Sequence, residues 1–402
     1  MTRTMKDSGV EWIGQIPEDW EFHKLKYHIH IKSGDMLTKS DLTDDGIFPV
    51  YGGGEMIGYA NKSNTKCNQI LIGRVGARCG CVTLPEKDCW ATDNALVITS
   101  LLPIKLLYYS LVAADLNNIN ISNAQPLITG NKVKNIIIPF PPLPEQQAIA
   151  DYLDYKCAQI DNITTTINEQ IEVLKQYKKS VITEAVTKGL DPNVPMKDSG
   201  VEWIGQIPEK WELTRIAGLY NLRNTKVSDK DFPALSVTNK GILPQLETAA
   251  KTNAGDNRKL VCIGDFAINS RSDRRGSCGI SPYNGSVSLI NLVLTPRNKT
   301  IPKYFDWLFH TVQFGDEFYR WGHGIVDDLW STGWDEMKKI LVPIPPLPEQ
   351  QAIANYLDDK CAQIDAVIAD KQAQLETLAA YKKSLIYEYV TGKKSVPGFE
   401  EA

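Results

Sequence analysis

No run of about 18 apolar residues, the length that spans a bilayer, occurs in this chain, and its opening MTRTMKDSG lacks the apolar stretch of a signal peptide. The expectation is an intracellular, cytoplasmic protein with no membrane partner. Histidine is scarce, at five of 402 residues; the one group, His23, His28 and His30, reads as strand surface rather than a metal site. Of eight cysteines, Cys67, Cys79, Cys81 and Cys89 cluster with no histidine among them and no usual zinc spacing. They are expected to be reduced, buried or half-buried thiols. Strong charge of either sign is also missing, the net value being −4. A basic total that would announce a nucleic-acid binder is absent, although phosphate binding needs only local positive potential.

What the chain has is repetition. Residues 5–21, MKDSGVEWIGQIPEDWE, return at 196–212 with one difference, Asp19 against Lys210, and residues 141–161, PPLPEQQAIADYLDYKCAQID, return at 345–365 with two. Cys157 and Cys361 fall at matching points of the second repeat, so duplication accounts for them without chemistry. Between the repeated blocks lie two inserts, 22–140 and 213–344, with little sequence in common. A constant frame around divergent inserts is the pattern of a symmetric holder for two different recognition surfaces. Composition agrees with two modules: 43% hydrophobic and 23% charged is globular, and a half of roughly 200 residues can bury its own core.

Charge is divided between frame and inserts. Residues 22–140 hold 12 Lys and Arg against 9 Asp and Glu, and residues 213–344 hold 17 against 13. The inserts are basic by three and four charges, which leaves −11 for the remainder. Both inserts read as mixed α/β in one element order. In the first, 69–74, 81–84, 95–99 and 135–139 have strand character and 104–116 looks helical; in the second, 260–269, 286–288, 291–295 and 339–343 are strands and 302–319 is the helix.

Each insert is followed by a long helix. After Pro141, Pro142 and Pro144, expected to hold the chain extended, residues 145–188 contain no Pro or Gly. Ile160, Ile163, Ile167, Ile171, Leu174, Tyr177, Val181 and Ala185 recur in steps of three and four, a seam close to a heptad. The second copy supplies Ile364, Val367, Leu375, Leu378, Tyr381, Leu385 and Tyr389, with Lys371 the polar interruption. The two seams are expected to pair antiparallel as a spacer about 65 Å long, with the inserts at opposite ends. Gly189 and the run Asp191-Pro192-Asn193-Val194-Pro195 stop the first helix before the repeat restarts.

Two copies of W-x-G-x-I-P-x-x-W (Trp12, Gly14, Ile16, Pro17, Trp20; Trp203, Gly205, Ile207, Pro208, Trp211) and of P-P-L-P-E-Q-Q-x-I before a long helix make the chain resemble the specificity subunit of Type I restriction–modification systems over nearly its whole length. The resemblance implies an α+β architecture of two pseudo-symmetric α/β target recognition domains joined by two long helices forming an antiparallel coiled coil. The divisions would be 1–140, 141–190, 191–344 and 345–402. It implies a subunit that reads a bipartite, asymmetric sequence in double-stranded DNA. The implied partners are two methyltransferase subunits using S-adenosylmethionine on adenine N6 and ATP-dependent restriction and translocase subunits. No catalytic residue, metal or cofactor is expected in this chain: it has no Asn/Asp-Pro-Pro-Tyr/Phe tetrad for a flipped adenine, no Walker lysine loop and no clear nuclease pattern. A scaffold that assembles partner subunits without reading DNA is the competing reading.

Two arginine-bearing runs are the candidate DNA contacts. Ile72-Gly73-Arg74-Val75-Gly76-Ala77-Arg78 in the first insert and Asn269-Ser270-Arg271-Ser272-Asp273-Arg274-Arg275-Gly276-Ser277 in the second occupy the same place in element order. Arginine suits phosphates and the guanine edge, and flanking glycines such as Gly76 let a loop enter a groove. Tyr51, Gly52 and Gly53 lack dinucleotide-loop spacing and read as a tight turn or phosphate approach. Lys32, Ser33, Asn224, Lys226 and Lys240 are further candidates, as is Ser277 beside the second run. Trp12, Trp20, Trp203 and Trp211 belong to the constant frame, so packing is expected of them rather than base stacking.

Overall fold

The duplicated opening block folds the same way twice. Gly9 and Gly14 take φ of +68° and +65°, a left-handed backbone that costs glycine nothing, and Met5–Asp7 turns back on Gln15–Pro17 as an antiparallel hairpin. Met196–Asp198 and Gln206–Pro208 repeat it. The computed structural model describes residues 3–119, 127–245, 255–297, 300–324 and 330–399. It divides into two units, 1–168 with 372–402 and 169–371.

In the first unit the main sheet is antiparallel, in the order Ile29–Ser33, Ala95–Ser100, Ile70–Gly73, Val82–Thr83. Leu107 and Leu111 of the helix Ile104–Ala113 join Ile70, Ile72, Leu96 and Ile98 in one core cluster. Leu71 and Val97, of opposite parity, join Cys89 and Ala91 in another. Both faces of these strands are therefore covered, which explains their continuous apolar runs. Phe48–Tyr51 pairs antiparallel with Met56–Ala60 and parallel with Trp90–Ala91; Pro49 and Gly58 in these short strands hide the alternation on which a sequence reading depends. Of the clustered thiols, Cys79 and Cys89 are buried and Cys81 is half-buried, but Cys67 is exposed, unlike the expectation. Burial pushes the Cys89 thiol up to about 12.

The second unit repeats the order with Tyr220–Arg223, Asn291–Pro296, Phe266–Asn269 and Cys278–Ile280. Its core is aromatic: Tyr220, Phe266, Tyr304, Phe305, Phe309, Phe314 and Phe318 are all essentially inaccessible. The expected strand 260–269 is two strands, Arg258–Val261 and Phe266–Asn269. Gly264 at φ +86° makes the break, and the buried Asp265 carboxylate closes the turn by accepting the Cys262 N–H at 2.8 Å and binding Arg223 at 2.7 Å. The expected helix 302–319 is likewise two, Pro302–Phe309 and Val312–Arg320, because Thr311 caps the second by accepting the Phe314 N–H at 3.2 Å.

The first long helix, Leu143–Lys188, starts two residues earlier than expected. Pro144 sits inside its first turn, where no N–H is required, rather than holding the chain extended; the Gln146 side chain donates to the Pro141 carbonyl at 2.8 Å. The second long helix is Leu347–Val390. Within each unit the two helices run antiparallel. In the first, the tilted rings of Tyr152 and Tyr389 lie 4.6 Å apart and Asp161 binds Lys382 at 2.6 Å; in the second, Lys371 donates to Gln170 at 2.6 Å and Lys178 binds Asp365 at 2.6 Å. The two ion pairs are images of each other under the repeat. Exposed pairs of this kind contribute little, and buried Leu153, Ile160, Leu385 and Ile386 hold the first unit's helices.

Most of the expected seam is buried, including Ile160, Ile167, Ile171, Val181, Ala185, Ile364, Leu385 and Tyr389, but it departs from its expected path at four positions. Ile163, Tyr177, Val367 and Tyr381 are 44 to 53% exposed, while Ile149, Leu153, Ile353 and Leu357 are buried. A 3.6-residue turn drifts from a seven-residue repeat, and where each helix meets its domain the buried stripe follows the domain.

One half-buried carboxylate in the second unit makes a stability prediction. Asp306 has one side-chain oxygen without a hydrogen-bond partner among the described residues, and burial raises its pKa, with His310 and Lys303 opposing. A pKa raised by folding favours the fold below the ordinary carboxylate range, and that contribution is lost as pH rises through the folded value. Asp306→Asn is therefore expected to stabilise the chain at pH 7 by about 1 kcal/mol, the scale of an unpaired buried acceptor. Thermal melts should show the gain shrinking on acidification through the carboxylate range; a gain independent of pH would refute the assignment.

Candidate nucleic-acid interface

In the first domain the structure brings the two glycine-bearing segments together. Gly73 ends its strand, and an added Cβ there would meet the Gly53 carbonyl oxygen at 2.2 Å; one on Gly53 would meet the Val75 carbonyl oxygen at 2.8 Å. The turn 51–54 thus rests on the arginine loop, and the glycines are needed for that approach. Arg74 donates to Ser33 Oγ at 3.1 Å, and exposed Arg78 binds Glu55 at 2.9 Å. Gly76, exposed at φ +81°, forms the loop tip. Lys32 is exposed on the edge strand Ile29–Ser33. Tyr51 is half-buried and packs with Leu71 and Val97 beneath the sheet; burial pushes its hydroxyl pKa up.

In the second domain Arg271, Arg274 and Arg275 are exposed. Arg275 binds Asp316 at 2.5 Å and lies 5.3 Å from the Tyr319 ring centre, so its guanidinium is held in place. Arg274, Arg275 and buried Ser277 border a cavity of about 640 Å³, together with the Ser236–Asn239 stretch, Asn269 and Asn291. Its wall includes Arg258, 5% exposed, whose partners are Ser286 Oγ at 2.9 Å and the Ser286 carbonyl at 3.0 Å. Burial pulls its pKa down, opposed by Asp229. Lys240 lies at the turn of the hairpin Leu235–Thr238 and Gly241–Pro244. Asn224 and Lys226 are exposed at the smaller sheet and do not line the cavity.

The two loops share a place in the fold and a backbone register, but their first arginines differ by one position. Ala95 faces Gly73 as Asn291 faces Asn269, and the carbonyls of Arg74 and Ser270 accept the N–H groups of Ile128 and Thr332 at 2.9 and 3.0 Å. Arg74 thus corresponds to Ser270, and Val75 to Arg271. Arg74 and Arg271 are therefore one position apart, whereas Arg78 and Arg274 correspond, their carbonyls accepting the N–H groups of Cys81 and Ser277 at 3.1 and 3.0 Å. Arg258 and Asn291 carried no local signal in the sequence, since only the strand pairing brings them to the cavity.

The four tryptophans of the frame pack. Trp20 and Trp211 are fully buried, and Trp203 meets Phe314 edge-on at 5.9 Å. Among the described residues no helix is long and apolar enough to cross a membrane.

Known proteins show the same arrangement. The chain is 30% identical over 418 residues to the Type I restriction enzyme MjaVIII specificity subunit of Methanocaldococcus jannaschii, covering 94% of both. It is 21% identical over 383 residues to the EcoDI specificity subunit of Escherichia coli, covering 88% of this chain and 84% of that one. A chain solved in work on complex assembly and conformational transition of the type I R-M system matches with a TM-score of 0.68 at 14% identity, covering 94% of this chain and 99% of that one. The family profile described as Type I restriction modification DNA specificity domain matches twice, over residues 17–173 and 208–377. With both inserts, the repeated blocks 141–161 and 345–365 and most of both long helices inside those two matches, the chain belongs to the Type I restriction modification DNA specificity family.

Proposed function

We propose that this chain is the DNA sequence-recognition subunit of a cytoplasmic Type I restriction–modification complex, reading a bipartite, asymmetric target with one domain per half-site. The observation that carries this reading is that two domains share strand order and sheet register while their loops differ in chemistry. In this reading the functional divisions are 1–140, 141–190, 191–344 and 345–402. The chain performs no catalytic step. It positions two methyltransferase subunits, which use S-adenosylmethionine to methylate adenine N6, and restriction and translocase subunits that use ATP. Arginine loops supply phosphate contacts for register and base-edge contacts for sequence.

Exchange of residues 22–140 for the insert of another family member tests this. Modification-sensitive sequencing of DNA from cells holding the chain and its methyltransferase partner should show one half-site replaced and the other kept. A change in both half-sites would overturn the assignment of one domain to each half-site, and no chain-dependent motif from an assembled complex would leave the scaffold reading standing instead.

A further inference from the structure

The strand pair nearest the second arginine loop differs in chemistry between the domains. In the first domain the facing residues are Ala95 and Gly73, and the Gly53 backbone fills the space where a side chain on Gly73 would go. At the same register the second domain has Asn291 facing Asn269. Directly opposed residues of an antiparallel pair project to one side, and both asparagines line the 640 Å³ cavity. One domain has closed this position with backbone, and the other has left a cavity with two amides in its wall.

The amides are not equally committed. Asn269 Oδ1 accepts the Arg271 N–H at 3.1 Å, which ties it to the loop. Asn291 is 4% exposed; its Nδ2 donates to the Ser288 carbonyl at 3.2 Å, and its Oδ1 has no partner among the described residues. That single long bond fixes which end of the amide is the acceptor, and turning the acceptor out to meet a base in the cavity would break no other side-chain hydrogen bond among the described residues. A buried acceptor lacking a donor is uncommon in native proteins, and this one belongs to a residue that lines a cavity bordered by Arg274 and Arg275.

We infer that Asn291 is a specificity-determining residue of the second domain and reads an adenine, its Oδ1 accepting a hydrogen bond from the exocyclic 6-amino group. Asparagine is suited to the adenine edge, where N6 donates and N7 accepts. Asn269 positions the arginine loop beside it. The first domain has no counterpart, so its half-site is read without this contact. The inference rests on the DNA-reading function proposed above.

The test uses the full chain assembled with its methyltransferase subunits, on duplexes carrying the target found by modification sequencing. The second domain's half-site is the one that changes when residues 213–344 are exchanged. Each adenine of that half-site, on either strand, is replaced in turn by purine, which lacks the 6-amino group. At one position other than the methylated adenine, wild-type affinity should fall about tenfold or more. Asn291→Ala should lose a similar factor on the natural duplex and nothing further on that purine duplex. Losses that multiply, or a variant as tight as wild type, overturn the inference. So does a half-site in which no adenine is sensitive to loss of the amino group, an outcome that needs no variant. Absence of any wild-type sequence preference would instead overturn the underlying DNA-reading function.

Discussion

Replacing Arg271, Arg274 and Arg275 together by alanine is expected to weaken DNA binding by the assembled complex by roughly 10²- to 10⁴-fold, at one to a few kcal/mol per arginine. All three side chains are exposed, so their removal leaves the aromatic core of the second unit intact. If all three meet phosphates, the slope of log affinity against log salt should flatten by about 2.7 units, near 0.9 for each counterion no longer released. Smaller flattening with relaxed sequence preference would assign part of the set to base edges. Arg275 offers the sharper single test. Its ion pair with Asp316 and its place over Tyr319 hold the guanidinium before DNA arrives, so less freedom is lost on binding. Arg275→Lys keeps the charge but gives up the planar fork, and should cost affinity while leaving the salt slope nearly unchanged. Filter binding or fluorescence anisotropy between 50 and 200 mM salt reads both quantities, with Lys175→Ala, on the exposed face of the first long helix, as the control. Unchanged affinity, slope and sequence preference in the triple variant would remove this loop from the DNA interface.

How far such residues could be read in advance depended on the kind of order that places them. Strands covered on both faces, Ile70–Gly73 and Ala95–Ser100, stood out as continuous apolar runs. The long helices stood out because no Pro or Gly interrupts them after the first turn. The arginine loops stood out because charge and glycine lie side by side in the chain. Breaks made by one side chain were hidden: the Thr311 cap and the Asp265 turn divide segments whose periodicity continues across them. Long-range placement was hidden too. Asn291 reaches the cavity only because its strand pairs with Phe266–Asn269 in a particular register, and the contact of Gly53 with Gly73 joins segments twenty residues apart. The match of Arg78 with Arg274 has the same origin, since element order is legible in one dimension and register is a property of paired strands.

Trp20→Ala should destabilise the first unit by about 3–5 kcal/mol, the usual cost of truncating a buried tryptophan, and Trp211→Ala should do the same in the second. Trp20 is fully buried with Ile13, Ile16, Leu153, Leu385 and Val390, at the junction of the opening hairpin with both long helices. Its removal therefore loosens hairpin and helices at once. The two tryptophans differ in one respect that the near-identical frame sequence conceals. The Trp20 indole donates to Glu145 Oε2 at 2.9 Å, and the Glu145 carboxylate, 2% exposed, is also bound by Arg3; the Trp211 indole N–H has no partner among the described residues. Phenylalanine separates packing from hydrogen bonding, because both exchanges remove a similar volume. Trp20→Phe deprives a buried carboxylate of a donor, a loss of about 1.5–3 kcal/mol for a bond to a charged group, whereas Trp211→Phe removes an N–H whose burial was unrewarded. Hydrogen exchange followed through a urea series, read over the buried helix turns of each unit, should show Trp20→Phe costing more than Trp211→Phe. Equal costs would mean that the Glu145 bond adds nothing beyond packing, and that Arg3 alone suffices to hold that carboxylate.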